Sequence, residues 1–152
     1  MIIIIIIKRI NINKIAMTGD IANVEGTLFD FRQPILLQQL TQIPGPPAGY
    51  DLNFCLGEDV GEKFLAGTVE HAGTGRRLDV FTNQPGLQLY TSNFLDGLAG
   101  KDGAIYRQHS SLCLETQNYP DAMNHVRFSR LAQDCIIHLF CVKLSTIARL
   151  LL

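Results

Sequence analysis

The chain has 152 residues, 47% hydrophobic and 18% charged, with 13 Lys+Arg against 14 Asp+Glu. That length suits about one domain, the apolar fraction is globular rather than disordered, and a net charge of −1 offers no basic field for phosphates, which argues against a nucleic-acid partner. No apolar run reaches the ~18 residues of a membrane span, and four cysteines, Cys55, Cys113, Cys135 and Cys141, are too few for a disulfide scaffold, so composition points to a soluble, cytoplasmic protein without a membrane partner.

At the N-terminus, Met1 is followed by six isoleucines, Ile2 to Ile7, and then by Lys8-Arg9. A secretory signal carries its positive charge before the apolar stretch and a small-residue cleavage site after it. This order is the reverse, and the β-branched run predicts a strand. An uncharged isoleucine run is also prone to aggregate.

Between Gly26 and Asn124, short apolar or β-branched runs alternate with Gly, Pro, Asn and Asp, as in antiparallel sheets. Pro34 to Leu40 suits one short helical turn, followed by a loop at Pro44-Gly45-Pro46-Pro47. In GYDLNFCL (49–56), Leu52, Phe54 and Leu56 share one face, with Asp51, Asn53 and Cys55 on the other. Phe64 to Glu70 and Arg77 to Phe81 flank a glycine-bearing hairpin connection at His71 to Arg76. Gly86 to Thr91 sets Leu87 and Leu89 against Gln88 and Tyr90. After a turn at Gly100 to Gly103, Ser111 to Glu115 sets Leu112 and Leu114 against Ser111, Cys113 and Glu115. The C-terminal stretch from about Leu131 lacks this turn chemistry and is read as a short helix. Within it, Cys135, His138 and Cys141 have ligand-type side chains, but their spacing sweeps around a helix instead of converging as paired CxxC motifs do. Packed apolar residues are the better account, and no metal is expected. The period-2 pattern makes the whole an all-β protein, a sandwich or part of one.

Asp51, Gln88 and Glu115 each fall mid-strand on the polar parity, between apolar neighbours. A sheet with one face in the core and the other lining a groove presents all three to one cavity. The bland alternative has them pointing into solvent from unrelated strands, and periodicity does not separate the two. No Gly-x-Ser-x-Gly elbow, phosphate loop, dinucleotide fingerprint or His-Glu-x-x-His motif is present. His71 falls at a turn, His125 in a polar stretch and His109 on the parity of Glu115, where a solvated strand-end histidine is the expectation. Asp51 and Glu115 form the one carboxylate pair that parity suggests, a weak signal for glycoside hydrolysis.

The segments VEGTLFDFRQP (24–34), GYDLNF (49–54), FTNQPGLQLYTSNFLDG (81–97), GKDGAIYRQHSSLCLETQNYPDA (100–122) and NHVRF (124–128) closely resemble the aldose 1-epimerases, the galactose mutarotases of animal type. The resemblance runs from Met17 to Phe128 and implies a partial antiparallel β-sandwich of the galactose mutarotase-like type, with a hexose such as galactose or glucose in a groove across one sheet. It implies exchange of α and β anomers: a base removes the anomeric hydroxyl proton, an acid protonates the ring oxygen, the C1–O5 bond opens, and the ring recloses from the other face. The family's base is the glutamate of the LETQN segment, here Glu115. A carboxylate is ionised at neutral pH and takes that proton without cofactor or metal. By the same resemblance Asp51 and Gln88 bind sugar hydroxyls.

The resemblance also implies what this chain lacks. Family members are longer, and their N-terminal portion carries the acid histidine, a second substrate-side histidine and an Asn-Arg pair, none of which is present before Met17. Leu52 stands where a histidine is common, and the FLDG turn is one residue short. Residues 1–16 and 129–152 therefore read as segments outside the family core around a partial domain at 17–128, from truncation, splicing or a gene model with foreign ends. Impaired catalysis and self-association through open strand edges are expected. The competing readings are a non-catalytic carbohydrate-binding or interaction module on the same sheet face, and a β fragment that folds only with a partner.

Overall fold

The computed structural model describes residues 3–7, 14–15, 21–37, 43, 45–57, 62–124 and 138–143. Its strands are β1 (Ile3–Ile7), β2 (Lys14–Ile15), β3 (Ile21–Ala22), β4 (Ile35–Leu36), β5 (Asp51–Cys55), β6 (Phe64–His71), β7 (Arg76–Thr82), β8 (Gly86–Tyr90), β9 (Asp96–Ala99), β10 (Ile105–Arg107), β11 (Ser111–Gln117) and β12 (His138–Lys143). Six of them form a sheet in the order β12-β11-β8-β5-β2-β3, four form a second sheet in the order β4-β1-β6-β7, and β9 pairs with β10 as a separate hairpin. All of these pairings are antiparallel.

Alternation along the strands explains why the two sheets share one core. Leu52, Phe54, Leu87, Leu89, Leu112 and Leu114 of the larger sheet join Ile7, Ala66, Val69, Leu78 and Val80 of the smaller one in a single buried cluster. The loop before β4 closes one end of that cluster. Phe31 packs edge-on against Phe54 at 5.3 Å and against Tyr50 at 5.0 Å, the geometry that aromatic quadrupoles favour. The Tyr50 hydroxyl donates to the Leu28 carbonyl at 2.7 Å, and burial pushes its pKa up to about 12. In the same loop, Arg32 donates to both carboxylate oxygens of Asp30, and this hydrogen bonding lowers the Asp30 pKa to about 2.

The hairpin foreseen around His71 to Arg76 forms as β6 and β7. Gly75 adopts φ +66° at the turn, and its N–H donates to the His71 carbonyl. Three other expectations need correction. Ile35 and Leu36 do not belong to a helical turn; they pair with Ile5 and Ile4 of β1, Leu37 has 3-10 conformation, and residues 38–40 lie outside the described residues. The isoleucine run is a strand, as β-branching predicts, but it is no addition outside the core. It lies between β4 and β6, and Ile7 is wholly buried in the common cluster.

The helix expected in the C-terminal stretch is the third correction, because His138–Lys143 is a strand that pairs with β11 from Ser111↔Lys143 to Thr116↔His138. An exposed edge of β11 carries unpaired N–H and C=O groups, and satisfying them outweighs a weak local helical preference. The rest of that stretch lies outside the described residues.

Candidate functional site

β5, β8 and β11 lie side by side in the larger sheet, and their register places the three predicted residues on one face. Gln88 is opposite Glu115 on one side and Asn53 on the other. In the adjacent row, Tyr90 is opposite Cys113 and Asp51. Side chains two apart along a strand point the same way, so Asp51, Asn53, Gln88, Tyr90, Cys113 and Glu115 share the face opposite the core.

The face is open at one end and closed at the other. Asp51 is exposed, and Gln88, Tyr90 and Glu115 are half-buried. At the far end of β5, Cys55 is buried with Tyr119 and Ala122, with Ile21 packed against them. The amide of Gln88 donates from Nε2 to Oδ1 of Asp51 at 2.9 Å, which fixes both groups and leaves the second Asp51 oxygen and the Gln88 carbonyl for a ligand. Partial burial raises the Glu115 pKa, and the nearby negative charge of Asp51 adds to the rise. A raised pKa makes an ionised carboxylate a stronger base at neutral pH.

Asn53 was legible as a polar-parity residue but not as part of this arrangement. It is 1% exposed, its Oδ1 accepts from Gln117 Nε2 at 3.4 Å, and among the described residues its Nδ2 has no hydrogen-bond partner. The space it occupies exists because residue 86 is glycine: a Cβ there would stand 2.6 Å from Asn53 Oδ1.

Where β5 begins, a buried network holds the chain in place. The N–H of Tyr50 donates to Thr91 Oγ1 at 2.9 Å, and Asn93 Nδ2 donates to the Tyr50 carbonyl at 2.9 Å. His109 belongs here rather than to solvent. It is half-buried with its Nδ1 3.0 Å from the Thr91 carbonyl, and its φ of +58° places it in a turn, not on an extension of β11. His71 lies at the β6–β7 turn of the other sheet, and His125 is outside the described residues. Among the described residues no group of three His, Cys, Asp or Glu side chains is placed to hold a metal, and no helix is long and apolar enough to cross a membrane.

Two carboxylates and an amide thus share one sheet face. The sequence model of the aldose 1-epimerase family matches residues 8–134. The chain belongs to the aldose 1-epimerase family. The matched span reaches past both ends of the 17–128 resemblance and takes in β2.

Among curated epimerases, the galactose mutarotase of Mus musculus is 55% identical over 112 residues, 73% of this chain and 32% of the relative, and that of Homo sapiens is 53% identical over the same length and shares. The aldose 1-epimerase of Haemophilus influenzae is 36% identical over 106 residues, 68% of this chain and 30% of the relative. The chain thus spans about a third of the length of the curated epimerases it matches. Among solved structures, an aldose epimerase homologue from C. elegans superposes with a TM-score of 0.66 at 19% identity, over 92% of this chain and 43% of the other. That likeness places the two-sheet architecture in the aldose epimerase fold.

Proposed function

We propose that this chain carries the base side of a hexose mutarotase site, with Glu115 as the catalytic base and Asp51 and Gln88 as sugar ligands. The observation that carries the reading is the shared face: Gln88 lies in register with Glu115 and hydrogen-bonds Asp51, so three strands supply one contiguous polar surface. A pyranose such as galactose or glucose laid across it presents its anomeric hydroxyl to Glu115. The Glu115 carboxylate takes that proton as the C1–O5 bond opens and returns a proton to the hydroxyl when the ring closes from the other face. The free oxygen of Asp51 accepts from ring hydroxyls, and Gln88 both donates and accepts. The electron pair of the breaking bond goes to O5, which requires a proton donor. His71 and His109 are engaged elsewhere, and the resemblance assigns the acid to a family segment outside this match. General acid assistance contributes ~10²–10⁴-fold, so mutarotation without such a donor is slow.

Polarimetry on freshly dissolved α-D-galactose and α-D-glucose tests the reading. The expected result is a small acceleration over buffer that Glu115→Gln abolishes. Equal acceleration by the variant would overturn the assignment of Glu115. Saturable hexose binding without any acceleration would favour the non-catalytic sugar-binding module.

A further inference from the structure

Two of the cysteines meet in register at the edge of the larger sheet. Among the described strands β12 is the outermost there, and it runs antiparallel to β11 with Cys141 opposite Cys113. The two are 28 residues apart in the chain. Cys113 is a thiol, 8% exposed, on the face that carries Glu115. We propose that Cys113 and Cys141 are a dithiol site that a small-molecule disulfide such as glutathione disulfide oxidises to a cross-strand bond, tying β12 to β11. No sugar takes part, so the site is independent of the mutarotase reading.

The register supplies the geometry. Residues directly opposite in an antiparallel pair share a face, with Cα atoms ~4.5 or ~5.5 Å apart according to the hydrogen bonding of the pair. Both spacings fall inside the ~4.4–6.8 Å that a disulfide spans. Cβ atoms at such positions start ~4.5–5.5 Å apart and close to ~3.5–4.5 Å in the bond, a small adjustment for a strand at the edge of a sheet. No other described cysteine is within reach. Cys55 belongs to β5, two strands from β11, and its row holds Gly86 and Gln117 where that of Cys113 holds Tyr90 and Asp51. Two strand spacings and four residues of rise put it ~16 Å from Cys113, far beyond the ~7 Å limit for bridging, and β12 lies one strand further. Cys135 is outside the described residues.

The exchange balances in two steps. The thiolate of one cysteine attacks a sulfur of glutathione disulfide, forming a mixed disulfide and releasing one glutathione thiolate. The thiolate of the other cysteine then attacks the protein sulfur of that bond and releases the second. The cysteine sulfurs lose two electrons, glutathione disulfide is reduced to two glutathione thiols, and the two cysteine protons end on those thiols. Register favours the second step, because the resolving thiol is already beside the mixed disulfide. An edge strand opens at lower free energy than strands inside a sheet, which admits the oxidant to Cys113. The finished bond closes a long loop and thereby restricts the unfolded chain.

Equilibration of the 152-residue chain in a glutathione redox buffer tests the site, followed by acid quenching, thiol alkylation, proteolysis and mass spectrometry. The expected crosslink joins Cys113 to Cys141, is reversed by dithiothreitol and is missing from Cys141→Ser. The oxidised chain is expected to melt roughly 5–10 °C above the reduced one, with no such rise in Cys141→Ser. In denaturing urea loop closure favours the cysteines nearest in sequence, so Cys141 is expected to pair with Cys135 there and with Cys113 in buffer. No crosslink in buffer, any other dominant pairing there, or a lasting glutathione adduct on Cys113 would each overturn the proposal. So would the same partner for Cys141 in urea and in buffer, or an oxidised chain that melts no higher than the reduced one.

Discussion

Gly86 lies beside the site, two residues from Gln88 on the same face of β8 and in register with Cys55 of β5 and Gln117 of β11. Its replacement by alanine tests how tightly that end of the face is packed. The backbone at Gly86 is not in the left-handed region, so the cost is one of space. The new Cβ would stand 2.6 Å from Asn53 Oδ1, 3.1 Å from Asn53 Nδ2 and 3.1 Å from the Gln117 carbonyl. Asn53 is 1% exposed and has little room to turn away, and the Gln117 oxygen belongs to a paired strand. Overpacking of this kind costs ~1–3 kcal/mol, and each kcal/mol lowers Tm by ~2–4 °C in a chain of this size. Urea unfolding of Gly86→Ala, Asn53→Ala and the double variant measures the coupling. Removing the Asn53 amide relieves the closest contact, so the second substitution is expected to cost ~1 kcal/mol less in the Asn53→Ala background. Additivity within ~0.3 kcal/mol would refute the account. Loss of hexose affinity in Gly86→Ala is expected as well, because a displaced Asn53 pushes on Gln88 beside it.

The Glu115 carboxyl, followed by NMR titration, is expected to have a midpoint above the ordinary glutamate value that moves downward in Asp51→Asn, since a repelling charge is removed. As pH falls, the folded chain takes up this proton before the unfolded chain does, so this carboxyl favours folding at low pH. That contribution is lost as pH rises from the unfolded pKa through the higher folded one. An upward shift in Asp51→Asn would contradict the argument. Leu89→Ala, at a fully buried position where the two sheets meet, is expected to cost ~2–5 kcal/mol in urea unfolding, and a cost below 1 kcal/mol would place Leu89 outside a shared core.

The sequence by itself determined the β class, most strand positions and the sidedness of Asp51, Gln88 and Glu115. Side-chain alternation is a local property of an extended chain and needs no partner. It also supplied the family, through blocks such as GYDLNF and LETQN. Which strands adjoin, and in what register, is set by contacts distant in sequence, and only the tertiary structure decided it. Asp51 and Gln88 are 37 residues apart, yet their side chains share a hydrogen bond. The C-terminal stretch illustrates the same point. HLFCVK has no strong local preference, and it became a strand because β11 offered an unpaired edge. Ile7 entered the core for a similar reason: β6 gave the isoleucine strand a partner, and the opposing sheet gave its apolar face a cover. The juxtaposition of Cys113 and Cys141 has no sequence signature at all, because it exists only once β12 lies against β11.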